Sequence, residues 1–153
     1  MIYSNSAPIA AKAFLMPNLP SPNLSVRSID HLAVIAKDLE RSRHFYEEIL
    51  GMEPVERPAF SFPGLWFQAG DTQVHVILEG PEAGPAGMAE FQGTMPARGT
   101  HFAFEVENCE EAARKLADLG IEIVAGPQSR PDGPRQLYIH DPDGYTVELF
   151  SKA

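Results

Sequence analysis

The sequence predicts an α+β fold of two βαβββ modules that form a cupped mixed β-sheet with the helices outside. A repeat carries most of this prediction. Ser28 to Gly51 reads SIDHLAVIAKDLERSRHFYEEILG and Gly99 to Gly120 reads GTHFAFEVENCEEAARKLADLG, which pairs His31 with His101, Asp38 with Asn108 and Gly51 with Gly120 at offsets of 70 or 69 residues. In each copy an alternating apolar stretch runs into an amphipathic helix that stops at a glycine, and three strand-like stretches follow.

The composition narrows the function classes. With 153 residues and 44% hydrophobic side chains the chain can bury a sizeable core as one globular unit. A net charge of -9, without any cluster of Lys and Arg, argues against nucleic acid and anionic membrane as partners and leaves a small molecule. The single cysteine, Cys109, allows no internal disulfide and no thiolate metal cluster, which suits a reducing, cytoplasmic setting. No apolar run is long enough to span a membrane.

Residues 1–27 contain no acid and are rich in Pro, Ser and Asn, so they read as a flexible or surface-packed N-terminal arm. The first module is expected over 28–80. Ile29 to Ala36 alternates as a strand, with Ile29, His31, Ala33 and Ile35 on one face and Leu32 and Val34 on the other. Asp38 caps the helix, Leu39, Phe45, Tyr46, Ile49 and Leu50 form its buried stripe, and Gly51 supplies the left-handed stop. A strand is expected at Met52 to Arg57, then a loop to Gly64, then a hairpin of Leu65 to Ala69 and Gln73 to Glu79.

Pro81 to Gly99, rich in Gly and Pro, is the expected linker between modules. The second module is expected over 100–151. Thr100 to Glu107 is its first strand, and Asn108 with Glu111 three residues on forms a capping box. Ala112, Leu116 and Leu119 supply the helix stripe and Gly120 ends it. Ile121 to Ala125 is read as a strand, Gly126 to Pro134 as a loop, and Gln136 to His140 and Thr146 to Ser151 as a hairpin over Asp141-Pro142-Asp143-Gly144.

Aligning the closing strands sets QVHVIL beside TVELF, so that His75 falls opposite Glu148. Alone, a histidine on an apolar strand is ordinarily a hydrogen-bonded core residue. Here two first strands each carry a histidine and two last strands each carry a ligand-type residue. Related by a pseudo-twofold axis, His31, His75, His101 and Glu148 can converge on one point and hold a divalent Zn, Ni, Fe, Mn or Co ion. Arg98, Arg130 and Arg135 flank the second module in loops and read as solvated charge or as anchors for an anionic substrate group. Trp66, Phe67, Phe102 and Tyr138 lie on strands as core or pocket lining, while His44 and His140 are expected at the surface. Cys109 starts a helix, where a thiol can be acidified, but no base accompanies it in sequence.

The DHLAV strand, the helix ending FYEEILG, the HFAFEV strand and the closing DPDGYTVEL hairpin resemble the vicinal oxygen chelate superfamily, over about residues 28–151. That superfamily includes glyoxalase I, methylmalonyl-CoA epimerase, fosfomycin-resistance proteins, extradiol dioxygenases and bleomycin-binding proteins. The resemblance implies that His31, His101 and Glu148 match the usual metal ligands of the first, fifth and eighth strands. His75 matches a variable fourth-strand position, where glyoxalase I commonly has Glu and the epimerases Gln. The expected activity is therefore that of a metal-dependent, glyoxalase-like lyase or isomerase acting on a small oxygenated substrate. Glu148 would be ligand and proton carrier in turn, and a homodimer is the expected assembly. The rivals are an Fe(II) dioxygenase built on His31, His101 and Glu148, and a metal-free ligand- or drug-binding protein of the bleomycin-resistance type.

Overall fold

The computed structural model describes residues 24–87 and 95–152. The expected N-terminal arm up to residue 23 and the middle of the expected linker lie outside these residues. Two four-stranded sheets form, each with a helical segment packed on one face. No helix among the described residues is long and apolar enough to cross a membrane.

In the first sheet β1 (His31–Ala36), β2 (Glu53–Val55), β3 (Gly64–Ala69) and β4 (Thr72–Leu78) lie in the order β1-β4-β3-β2, with β1 and β4 parallel. Side chains alternate across it. Val34, Phe67, Val74 and Val76 face the helix and are buried, as strand periodicity requires. The other face is open, and its register places His31, Gln73, Gln68 and Glu53 in one row, then Ala33, His75, Trp66 and Val55, then Ile35, Ile77 and Gly64.

The first helix is shorter as an α-helix than its sequence suggests. Asp38 caps it by accepting from the amides of Glu40 and Arg41, but after α1 (Leu39–Arg43) the chain widens into a π-helical stretch over His44–Ile49. There the Leu50 amide donates to the Phe45 carbonyl at 2.9 Å, five residues back. This widening keeps both Phe45 and Tyr46 in the core, Tyr46 with no exposed surface.

In the second sheet β5 (His101–Glu105), β6 (Ala125–Ser129), β7 (Arg135–His140) and β8 (Thr146–Ser151) repeat the order as β5-β8-β7-β6. Helix α2 (Cys109–Asp118) begins on Asn108, whose side chain accepts from the Glu111 amide at 2.8 Å. Glu111 itself turns to Lys115, so one half of the expected capping box forms. Leu116 is buried as expected, whereas Leu119 is 62% exposed, because Gly120 ends the helix before that side chain reaches the sheet.

The strand expected at Ile121 to Ala125 is displaced to Ala125–Ser129, inside the segment read as a loop. The Ile121 amide closes the helix by donating to the Leu116 carbonyl, and Ile121 and Ile123 pack under the core from irregular chain. Pairing to β7 starts only where the Val124 amide meets the Tyr138 carbonyl, and it proceeds through a bulge that accommodates Gly126 and Pro127. Pro127 lacks a donor and is tolerated because β6 is an edge strand.

The turn between β7 and β8 locks the two halves together. Tyr46 donates to Asp141 Oδ2 at 2.8 Å, the Ile35 amide donates to the Tyr145 hydroxyl at 3.0 Å, and the Lys37 amide donates to Asp143 Oδ1 at 3.2 Å. The DPDG run is thus a clamp on the β1–α1 junction as well as a hairpin turn.

Candidate metal centre

Among the described residues no three His, Cys, Asp or Glu side chains gather closely enough to hold a metal. The four expected ligands lie as two pairs, His31 with His75 on the first sheet and His101 with Glu148 on the second. Convergence of all four within one chain, as the pseudo-twofold reading anticipates, is absent from this arrangement. Each sheet presents its pair on the face turned away from its helix, so the alternation inferred for the histidine strands holds.

The second-sheet pair is the more constrained. His101 Nδ1 lies 2.8 Å from the Gly99 carbonyl, which can only accept, so Nδ1 carries the proton. In the neutral ring, Nε2 is then a lone pair, and it points at Glu148 Oε2 from 3.1 Å. Two acceptors at that distance repel unless a proton or a cation lies between them. Glu148 is only 4% exposed, and Oε2 also accepts from the Tyr138 hydroxyl at 2.9 Å. Its other oxygen, Oε1, is buried without a hydrogen bond, and Arg130 Nη1 comes no closer than 3.8 Å. A buried carboxylate with one orphaned oxygen, beside an imidazole whose lone pair is already oriented, suits a divalent cation.

Burial, with Glu148 alongside, pushes the Tyr138 phenol up to about 12 from its ordinary 10.0. The folded value is the higher one, so the protonated phenol's contribution to stability is complete below pH 10.0 and is lost as pH rises toward 12. A phenolate absorbance titration should show a late step near pH 12, below that of the more deeply buried Tyr46, and Tyr138→Phe should remove that step and lessen the fall in stability over the same range.

On the first sheet the His31 and His75 rings stack with centroids 4.1 Å apart, and Trp66 covers the other face of His75 at 4.0 Å. His31 Nδ1 donates to Asp30 Oδ1 at 2.7 Å, which leaves Nε2 free. For His75 a chain of amides settles the tautomer. Gln68 Nε2 donates to the Gly70 carbonyl at 2.6 Å, so its Oε1 accepts from Gln73 Nε2, and Gln73 Oε1 then accepts from His75 Nε2 at 2.9 Å. The free lone pair of His75 is therefore on Nδ1. Burial first, then the His31 ring and more weakly the Arg57 guanidinium, hold the His75 imidazole below its ordinary value, with Asp30 opposing. Neutral imidazole is the form that binds metal.

The remaining expectations divide. Trp66 and Tyr138 lie on the open faces, while Phe67 and Phe102 sit on the helix side with the core. His44 and His140 are exposed. Arg130 pairs with Asp132 and reaches toward Glu148, and Arg135 pairs with Glu110. Cys109 is fully buried and burial raises its thiol, opposite to the acidification its helix position suggests. Gln73 and Gln68 escaped the sequence reading, although Gln73 stands two residues before His75 and must share its face.

Comparison with known proteins agrees with this fold. The model of the glyoxalase/bleomycin resistance protein/dioxygenase superfamily matches residues 28–149, and the chain belongs to that superfamily. Glyoxylase I 4 of Arabidopsis thaliana is 29% identical over 128 residues, covering 82% of this chain and 71% of that protein. The mitochondrial methylmalonyl-CoA epimerase of Bos taurus is 27% identical, covering 92% and 93% of the two chains. A crystal structure of a glyoxalase family protein from Bacillus anthracis superimposes with a TM-score of 0.65 at 30% identity, over 84% of this chain and 97% of that one.

Proposed function

We propose that the protein is a metal-dependent, glyoxalase-like enzyme of the lyase or isomerase class, acting on a small substrate through two adjacent oxygens. The observation that carries this reading is the Glu148 carboxylate, buried beside the His101 lone pair with one oxygen unsatisfied. His101 Nε2 and Glu148 would hold the ion, completed from a second copy of the chain by His31 Nε2 and, once the two stacked rings turn apart, by His75 Nδ1. The separation of the two pairs within one chain supports a homodimer whose sites are shared. A divalent ion bound there would polarise a carbonyl or enolate oxygen.

The chain's own residues do the rest. The Gly99 carbonyl fixes the His101 tautomer. Tyr138 donates to Oε2 and holds the carboxylate in place, which leaves Oε1 to take a proton from substrate carbon and return it. Trp66, stacked on His75, offers a flat apolar wall that limits water.

Metal content after loading with Zn, Ni, Fe, Mn and Co in turn tests this directly. Near-stoichiometric uptake by the wild type, with affinity lowered about 100-fold or more in Glu148→Ala and His31→Ala, is the expected result. Failure of every ion to bind would sink the proposal. With metal bound, isomerisation of a thiol hemiacetal supports this class, and oxygen consumption with a catechol instead would establish the dioxygenase.

A further inference from the structure

The open face of the first sheet carries a second built arrangement beside the histidines. Arg57 follows β2 with the same strand parity as Val55, so it continues the row that holds Ile35, Ile77 and Gly64. Position 64 has to be glycine for this. A Cβ there would stand 3.3 Å from Arg57 Nε and 2.6 Å from the Val76 carbonyl oxygen. The guanidinium therefore rests against bare backbone, and its Cζ lies 4.7 Å from the centroids of both Phe60 and Phe62. Phe60 reaches Trp66 at 5.9 Å, and Trp66 stacks on His75, so one aromatic run joins Arg57 to the histidine pair.

The cation itself is incompletely satisfied. Arg57 Nη2 is buried and makes no hydrogen bond. Arg43, Arg130 and Arg135 each pair with a carboxylate, yet among the described residues of this acidic chain none pairs with Arg57. Ring faces offset part of the cost of removing a cation from water, but they accept no in-plane N–H. The two rings stacked on the guanidinium are themselves at the surface, 47% exposed for Phe60 and 39% for Phe62, so turning a ring aside gives an acceptor access to the group.

We propose that Arg57 is the anchor of an anion subsite, where the planar guanidinium edge receives a carboxylate of the ligand held at the His31–His75 face. A carboxylate matches the fork geometry of arginine and supplies the missing in-plane acceptor. The guanidinium stands at Gly64 on β3, one row along and one strand across from His75 on β4, so with about 7 Å between rows and about 4.8 Å between strands the two positions are roughly 8 Å apart, a span that an extended short acid bridges. In calling the ligand the substrate, the assignment rests on the metal-dependent reading above, and it narrows that substrate to an oxygenated acid.

Trp66 is the sole tryptophan, so its fluorescence reports on this face alone. Metal-free protein is titrated at constant ionic strength with benzoate, benzyl alcohol and inorganic phosphate, which separates this subsite from the metal question. Saturable benzoate binding is expected, about tenfold or more weaker in Arg57→Gln, with benzyl alcohol and phosphate weaker still on the wild type. Should Arg57→Gln lose its folded circular dichroism, Arg57→Lys keeps the charge without the fork and is expected to bind benzoate severalfold more weakly. No saturable benzoate response, or an undiminished one in the folded variants, overturns the subsite. Equal binding of benzyl alcohol would reduce it to an apolar patch, and preference for phosphate would overturn the carboxylate assignment.

Discussion

Asp141→Ala is expected to destabilise the protein by about 3–5 kcal/mol, seen as a lowered urea midpoint and a fall in Tm of about 10 °C. The side chain is 6% exposed and accepts three hydrogen bonds, from the Tyr46 hydroxyl, the Asp143 amide and the Tyr145 amide. Alanine orphans all three donors, one of them on a tyrosine with no exposed surface. It also removes the clamp between the two sheets. Asp141→Asn should cost only about 1 kcal/mol, because an amide oxygen still accepts from both amides and the Tyr46 hydroxyl can turn to accept from the new NH2. The two variants also differ in pH response. Burial raises the Asp141 carboxyl above its ordinary value despite its hydrogen bonds. A raised folded value means that wild-type stability is complete below the ordinary carboxylate range and declines as pH rises through the folded one. Asparagine cannot ionise, so its deficit against wild type should shrink between about pH 4 and pH 7. An equal deficit at both pH values would show that the fold does not disfavour the Asp141 charge.

The same clamp marks the boundary of what the sequence discloses. Strand period and glycine stops are local, so the repeat, the element order and the open-face position of His31, His75, His101 and Glu148 were legible in it. The displaced strand was not, since Ile121 and Ile123 alternate like a strand while serving the core beneath α2, and Gly126-Pro127 reads as a turn while pairing at an edge. The contacts that set one sheet against the other, such as Ile35 with Tyr145, join residues 110 positions apart. No periodicity encodes that distance. Whether the four candidate ligands meet within one chain depends on those contacts, which is why their division into two pairs could not be read from the sequence. Arg57 was hidden for a related reason. Its company of Phe60, Phe62 and Gly64 reads locally as loop composition, and only the sheet register sets it beside Trp66 and His75.

Division of the ligands gives the sharpest test of the proposed assembly. A variant lacking the first pair, His31→Ala with His75→Ala, and a variant lacking the second, His101→Ala with Glu148→Ala, are each expected to bind no metal. Mixed in equal amounts and allowed to exchange subunits, they give opposite outcomes for the two possible architectures. If each site joins the first sheet of one copy to the second sheet of the other, a mixed dimer holds one site with neither pair and one with both. Random exchange makes about half the dimers mixed, and half of their sites are intact, so metal uptake should recover to about a quarter of wild type. If each site is built within one chain, every chain in the mixture carries a damaged site and recovery is nil. The substitutions on the open face of the first sheet remove two stacked rings beside Trp66 and so change its fluorescence directly, which makes far-UV circular dichroism the control for folding before mixing. The second variant needs a milder companion, since it strips a buried carboxylate from Tyr138 and brings Arg130 against an apolar surface. His101→Ala alone leaves Glu148 with its Tyr138 hydrogen bond and should give the same quarter recovery against the first variant.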